Sequence, residues 1–200
     1  MELNREFFDE VIDRSGTASE KWDARKEVFG RADVLPLWVA DMDFRCAPEI
    51  VRAIEERARH PIYGYTANIS ENRAAEAAWL RRRFGLDVDP AWILTSPSVV
   101  DSMLYSIEAF TSPGERVLIQ PPVYGPFRET VKRLGRLVEE SPLVDAPDGY
   151  RMDFEGLESA FASGVKFMFL CSPHNPVGRV WTRAELERLF GLADRFGAVI

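Results

Sequence analysis

The sequence predicts an α/β fold: a three-layer α/β/α arrangement around a mostly parallel sheet that stays incomplete at the carboxyl end. Three observations carry this. Short apolar runs alternate with amphipathic stretches of about ten residues or more, the pattern of βαβ units rather than of hairpins. The run from Val165 to Cys171 is apolar except for Lys166, as a strand covered on both faces requires. The 200 residues are 46% hydrophobic and 28% charged, which is the composition of a chain that buries a core.

Taken in order, residues 4–14 place Phe7, Phe8, Val11 and Ile12 on one helical stripe. A charged stretch with Gly, Ser and Thr follows to about Asp33 and reads as an irregular arm. Leu35 to Ala40 is apolar and breaks off at Asp41-Met42-Asp43, an acidic pair that reads as a cap or turn before Pro48. Pro48 opens a helix bearing Ile50, Val51, Ile54 and Ala58, since the missing proline N–H is an orphan in a first turn anyway. Ser70 caps a second helix that runs to Phe84 and stops at Gly85. Trp92–Thr95 reads as a strand, Val99–Phe110 as a helix, Arg116–Gln120 as a strand and Phe127–Leu134 as a helix. Arg136–Glu139 is a strand, Phe154–Phe161 a helix and Val165–Cys171 the buried strand. Thr182-Arg183-Ala184-Glu185 is a capping box; its helix reaches Phe196 and Gly197 closes it. Ala198-Val199-Ile200 begins a further strand. A sheet edge left half built predicts the amino-terminal part of a longer protein.

Several function classes are disfavoured. The formal charge is −7, and Arg81-Arg82-Arg83, the one basic run of three, falls on a helix face, so no nucleic-acid partner is expected. No apolar run approaches the ~18 residues that span a bilayer, and the first residues lack a signal-peptide layout, so no membrane partner is expected. Cys46 and Cys171 stand alone, which fits reduced thiols and a cytoplasmic location. With two His and two Cys far apart, no metal site is expected.

Ligands of open α/β sheets gather outside the carboxyl ends of the strands. Three connectors fall there. Ser96-Pro97-Ser98-Val99-Val100 leads into a helix and offers the N–H groups of Ser98, Val99 and Val100 to an anion; it also reads as a plain serine-capped helix. Pro121-Pro122-Val123-Tyr124-Gly125 holds a ring that can lie on a planar ligand or simply pack. Ser172-Pro173-His174-Asn175-Pro176-Val177-Gly178 carries an amide with donor and acceptor between two prolines, or an Asn-Pro turn. His174 reads as a general base or a loop residue. The chain has no Gly-x-Gly-x-x-Gly, no Walker-type lysine loop and no Gly-x-Ser-x-Gly elbow.

Together these segments carry a resemblance. Ser172-Pro-His-Asn-Pro-Val-Gly-Arg-Val-Trp181 resembles the pyridoxal-phosphate-dependent aminotransferases of fold type I, class I/II. Further segments agree in order: Gly16-Thr17 with Lys21-Trp22-Asp23, then Trp38 to Phe44, Tyr63-Gly64-Tyr65-Thr66, and Ile119 to Tyr124. Ala40-Asp41-Met42-Asp43-Phe44 narrows the likeness to the MalY/PatB-type cystathionine β-lyases. The resemblance implies an amino-terminal arm and small-domain segment over 1–45. It implies the first part of a pyridoxal 5'-phosphate-binding large domain over 46–200.

It also implies roles. Asn175 would bond the phenolic oxygen of the cofactor ring, and Tyr124 would stack on the ring. Ser98, Val99 and Val100 would hold the phosphate. Tyr65 would reach the phosphate of a neighbouring subunit, so a homodimer with shared sites is implied. Ala40 and Asp41, with Asn175, would lie near the amino-acid substrate. Relatives commonly carry glycine where Ser98 stands, which leaves the N–H donor in place. None of Lys21, Lys26, Lys132 and Lys166 fits the Schiff-base lysine, which is expected after Ile200; the 200 residues alone are expected to be inactive. The activity implied for the full-length protein is β-elimination on a sulfur amino acid, releasing thiol, pyruvate and ammonia. An aminotransferase is the nearest alternative, and a non-catalytic binding or dimerisation module is the second.

Overall fold

A computed structural model describes residues 4–67 and 70–200. The chain divides into two compact units, 1–71 and 72–200.

In the first unit, α1 (Arg5–Asp9) is shorter than its apolar stripe suggested. Asn4 caps it, accepting the Phe7 N–H at 3.0 Å, but Glu10 is already extended and Val11 is exposed. Phe7 is buried, and Phe8 meets it and Phe44 edge-on at 5.1 and 5.9 Å. The stretch expected to be irregular contains two single helical turns, α2 (Glu20–Asp23) and α3 (Arg25–Phe29), the second stopped by Gly30. Both are too short to show a helical period. Pro48 does open α4 (Pro48–Arg59), whose Ile50, Val51 and Ile54 remain exposed. The helix α5 (Ser70–Phe84) crosses the division and lies almost wholly in the second unit; it ends as expected, with Gly85 left-handed and its N–H donating to the Arg81 carbonyl at 3.0 Å.

The second unit contains α6 (Val99–Phe110), β1 (Arg116–Ile119), α7 (Pro126–Arg133), β2 (Leu137–Glu140), α8 (Phe154–Ala162), β3 (Phe167–Met168) and α9 (Arg183–Phe196). The strands are parallel in the order β2-β1-β3, with Val117 opposite Val138 on one side and Phe167 on the other. Val199 pairs in parallel with Phe167 beyond β3, as the sequence anticipated for residues 198–200. The expected strand at 92–95 is absent among the described residues. Pro90–Trp92 is a 3-10 turn capped by Asp89, and Ile93 is extended but has no described strand alongside. Extended backbone becomes a strand only where a neighbour supplies ladder partners. The apolar run 165–171 contracts to two strand residues, although ladder bonds also reach the Lys166 carbonyl, which accepts the Val199 N–H at 2.8 Å, and the Phe169 N–H, which donates to the Leu118 carbonyl at 3.0 Å.

Successive residues of β1 separate the layers. Val117 packs with Ile107 of α6, Val131 of α7 and Phe167; Leu118 packs with Leu157 and Phe161 of α8 and with Leu189 and Leu192 of α9. A parallel strand thus has helices on both faces, and its three buried residues, Val117–Ile119, are all apolar, while Arg116 at its start reaches Glu139. No helix among the described residues is long and apolar enough to cross a membrane.

Candidate functional site

The topology fixes one rim. In the βαβ unit β1-α7-β2 the helix runs back along parallel strands, so Pro126, its first residue, lies at the carboxyl edge of the sheet. The C-terminus of α6 sits at the opposite edge, where Arg136, just before β2, donates to the Thr111 carbonyl at 2.6 Å and its hydroxyl at 3.1 Å. Twelve helical residues span ~18 Å, which returns Val99 to the carboxyl edge. All three connectors singled out by the sequence therefore open on one edge.

Two of them touch. His174 is 1% exposed, and its Nε2 lies 3.0 Å from the Pro122 carbonyl. A carbonyl only accepts, so Nε2 carries the hydrogen and Nδ1 is a bare acceptor. Nδ1 is buried without a partner among the described residues. Burial pushes the imidazole below its ordinary pKa, against the pull of backbone groups of Pro122, Gln120 and Cys171 around the ring. Only the Pro122 contact has hydrogen-bond geometry. A neutral ring with its acceptor sealed from solvent is not placed to take a proton from a substrate, which removes the general-base reading of His174.

The Asn175 connector is a tight hairpin. The His174 N–H donates to the Arg179 carbonyl at 2.7 Å, and the Gly178 N–H donates to the His174 carbonyl at 2.8 Å. Gly178 has φ +71°, a value that costs an L-residue ~1–2 kcal/mol. Asn175 is exposed near the tip. Its N–H points at Cys171 Sγ at 3.4 Å, and its side-chain amide has no partner among the described residues. Behind the hairpin, Trp181 is buried and meets His174 edge-on at 5.5 Å, while its indole N–H donates to the Cys171 carbonyl at 2.8 Å. The Arg179 guanidinium lies 4.8 Å over the Trp181 ring, donates to the Tyr150 carbonyl at 2.8 Å and pairs with Glu185 at 2.6 Å. Glu185 closes the capping box of α9 with Thr182.

Tyr124 is 46% exposed, just before α7. Ser98 is the N-cap of α6; its hydroxyl accepts the Asp101 N–H at 3.1 Å and donates to the Asp101 carboxylate at 2.7 Å. The Val99 and Val100 N–H groups make no hydrogen bond among the described residues, which leaves them available to an anion. Asp101, in the same turn, works against that charge. The free donors, the exposed ring and the unpartnered amide fit a flat, phosphorylated ring; the lysines of this unit do not complete such a site. Lys166 precedes β3 at its amino end, where it bonds the Phe196 carbonyl, and Lys132 lies in the last turn of α7 at the same edge.

Tyr65, Ala40 and Asp41 belong to the first unit, where all three are exposed. The acidic pair does not cap α4. Asp43 instead accepts from Lys21 Nζ at 2.7 Å, Trp22 Nε1 at 2.8 Å and Arg14 Nη1 at 2.7 Å, and Asp41 pairs with Arg14. The bonds from Lys21, then Trp22 and Arg14, hold the Asp43 carboxyl far below the usual carboxylate range. Lys21 is only 8% exposed, and its Nζ also donates to the Asp41 carbonyl at 2.9 Å. Sequence reasoning left Lys21 in a loose arm and His174 as a lone loop histidine. The recoverable signal was Trp22 beside Lys21, and the Arg179 and Trp181 that follow His174.

The family model described as Aminotransferase class I and II matches residues 32–200. Cystathionine beta-lyase PatB of Bacillus subtilis (strain 168) is 42% identical over 194 residues, 96% of this chain and 50% of its own length. Protein MalY of Escherichia coli (strain K12) is 36% identical over 192 residues, 95% of this chain and 49% of its own. Among solved structures, cystalysin from Treponema denticola, which contains a pyridoxal 5'-phosphate cofactor, matches with a TM-score of 0.87 at 32% identity, over 96% of this chain and 50% of that one. The chain spans about half the length of the curated relatives it matches.

Proposed function

Because the chain belongs to the aminotransferase class I and II family, we propose that the full-length protein is a pyridoxal 5'-phosphate-dependent carbon–sulfur β-lyase of the cystathionine β-lyase type. The 42% identity to PatB across nearly the whole chain carries the choice of lyase over aminotransferase.

Each residue has an assigned task. The N–H groups of Val99 and Val100, with Ser98, bind the phosphate at the start of α6, where the helix dipole favours an anion. Tyr124 lays its ring on the pyridine. Asn175 donates its amide to the ring oxygen, a task that suits a side chain presented by a rigid hairpin. When bound, the cofactor supplies an electron sink for the charge left when the Cα proton of the amino acid is removed. Protein groups orient the ring and so select which bond at Cα breaks. Ala40 and Asp41, with Asn175, meet the amino-acid substrate, and Tyr65 reaches the phosphate held by a second subunit. We thus assign a cytoplasmic homodimer with shared sites. Lys132 and Lys166 lie off the carboxyl rim, the Lys21 ammonium is held by Asp43, and Lys26 stands on the short helix α3 of the first unit, so the lysine that bonds the cofactor is assigned to the half of the full-length protein that lies outside the matched span.

The test is to offer the full-length protein cystathionine with no keto acid. Release of thiol, pyruvate and ammonia is the expected result. No thiol and no pyruvate, together with rapid turnover that depends on a keto acid, rejects the lyase and favours the aminotransferase.

A further inference from the structure

We infer that His174 is a positioning residue: its buried ring braces the Tyr124 connector to the Asn175 hairpin, so that the two groups proposed to grip the cofactor ring hold one spacing. The inference rests on the cofactor reading above and assigns to His174 no contact with the cofactor.

The geometry is specific. The connector after β1 and the hairpin after β3 leave neighbouring parallel strands at one edge, which brings them side by side without fixing their spacing. The bond that joins them is His174 Nε2–H to the Pro122 carbonyl, at 3.0 Å. Pro122 lies two residues before Tyr124, and His174 is the residue before Asn175, so this bond sits at the root of both groups. The ring cannot swing away. It is 1% exposed and stands edge-on to Trp181, itself buried in the core between β1, α8 and α9. Trp181 in turn donates to the Cys171 carbonyl, at the other root of the hairpin. Cys171, Trp181, His174 and Pro122 therefore form one continuous brace.

The unpaired atoms around it are informative. Among the described residues His174 Nδ1 is buried without a partner, and so are both amide heteroatoms of Gln120, the residue that follows β1 on the way to Pro122. A buried acceptor left unpaired carries a desolvation cost. Phenylalanine at 174 would avoid that cost and keep the contact with Trp181. The imidazole differs from it by one directed donor, and that donor is spent on Pro122. Core packing alone does not call for that bond; a fixed spacing of the two connectors does.

The test compares His174→Gln, His174→Asn and His174→Phe in the full-length protein, titrating the apo form with pyridoxal 5'-phosphate. Glutamine places its amide nitrogen near the Nε2 position and can still donate to Pro122; asparagine is too short. Glutamine is expected to stay within about threefold of wild type, while asparagine and phenylalanine weaken binding about tenfold, the effect of one ordering hydrogen bond. Each change is repeated on an Asn175→Ala background. If His174 acts by placing Asn175, its loss should there cost less than about twofold further, because the two share one function. A purely structural residue would instead add its full penalty on either background.

Equal binding by glutamine and asparagine variants overturns the inference, as does full additivity with Asn175→Ala. If phenylalanine prevents folding, the glutamine–asparagine contrast still decides. Failure of the unaltered protein to bind the cofactor rejects the functional reading and the inference with it. Tight wild-type binding with an additive cycle rejects the brace alone.

Discussion

Replacing Glu185 by alanine should loosen the first turn of α9 and the base of the Asn175 hairpin together. Its carboxylate accepts from the Thr182 N–H at 2.7 Å and the Thr182 hydroxyl at 2.8 Å, and holds Arg179 at 2.6 Å. The capping interaction is worth ~0.3–1.5 kcal/mol. The Arg179 pair is partly shielded from solvent and adds ~0.2–1 kcal/mol. Together they stabilise this corner by about 1–2 kcal/mol, so amides there should exchange about 5–30-fold faster in the variant. The assay is amide hydrogen exchange by mass spectrometry on peptides covering residues 176–190 of the full-length protein, read as the ratio of variant to wild type at each pH. Burial raises the Glu185 pKa, but the Thr182 N–H and hydroxyl and then Arg179 outweigh it, leaving the carboxyl below its ordinary value. A depressed carboxyl contributes stability that is complete above ~4.3 and is lost as pH falls through the lower, folded value. The ratio should therefore be largest at neutral pH and shrink on acidification below about pH 4. Glu185→Gln keeps the acceptor and loses the charge, and should fall between. A neutral-pH ratio within about twofold of unity, or one that grows on acidification, refutes the reasoning.

Two further predictions concern the rim. Gly178→Ala meets open space but forces a side chain onto a backbone with φ +71°, so it should destabilise the full-length protein by ~1–2 kcal/mol and lower its melting temperature by a few degrees; an unchanged melting temperature contradicts the strained-turn reading. Asp101→Asn removes a negative charge from the turn whose Val99 and Val100 N–H groups are proposed to bind the phosphate. At ~5–7 Å in a water-like dielectric this is worth somewhat under ~1 kcal/mol per unit of phosphate charge. With the ~1.5–2 charges of a phosphate at neutral pH, the variant should bind pyridoxal 5'-phosphate about five- to fifteenfold tighter in a direct titration, and weaker binding would move the anion away from α6.

Legibility followed the locality of the determinants. Val99–Phe110 and Arg183–Phe196 read true to within a residue because Ser98, Thr182, Glu185 and Gly197 write their ends into adjacent positions. Trp92–Thr95 misled because a strand is a property of two segments, and no described strand lies beside it. The turns at Glu20–Asp23 and Arg25–Phe29 are shorter than any period that could betray them. The Tyr124 and Asn175 connectors were legible as strand-end loops. The burial of His174 was not, since it depends on Pro122, 52 positions earlier in the chain. Lys21 escaped for the same reason: Asp43, which holds it, is 22 residues away.

The four-residue strand β1 also constrains how this protein can change length. Each successive position is committed to a different neighbour, Val117 to one helical layer and Leu118 to the other, and Gln120 and Pro122 follow without slack. Deleting one residue from Arg116–Ile119 would turn both layers inside out and drag the Tyr124 connector inward by ~3.3 Å. The turn closed by the Gly149 N–H and the Ala146 carbonyl at 2.9 Å lies outside β1 and both helical layers, with the Val144–Arg151 bridge holding its base. Insertions, and crossover points for chimaeras with related lyases, belong there.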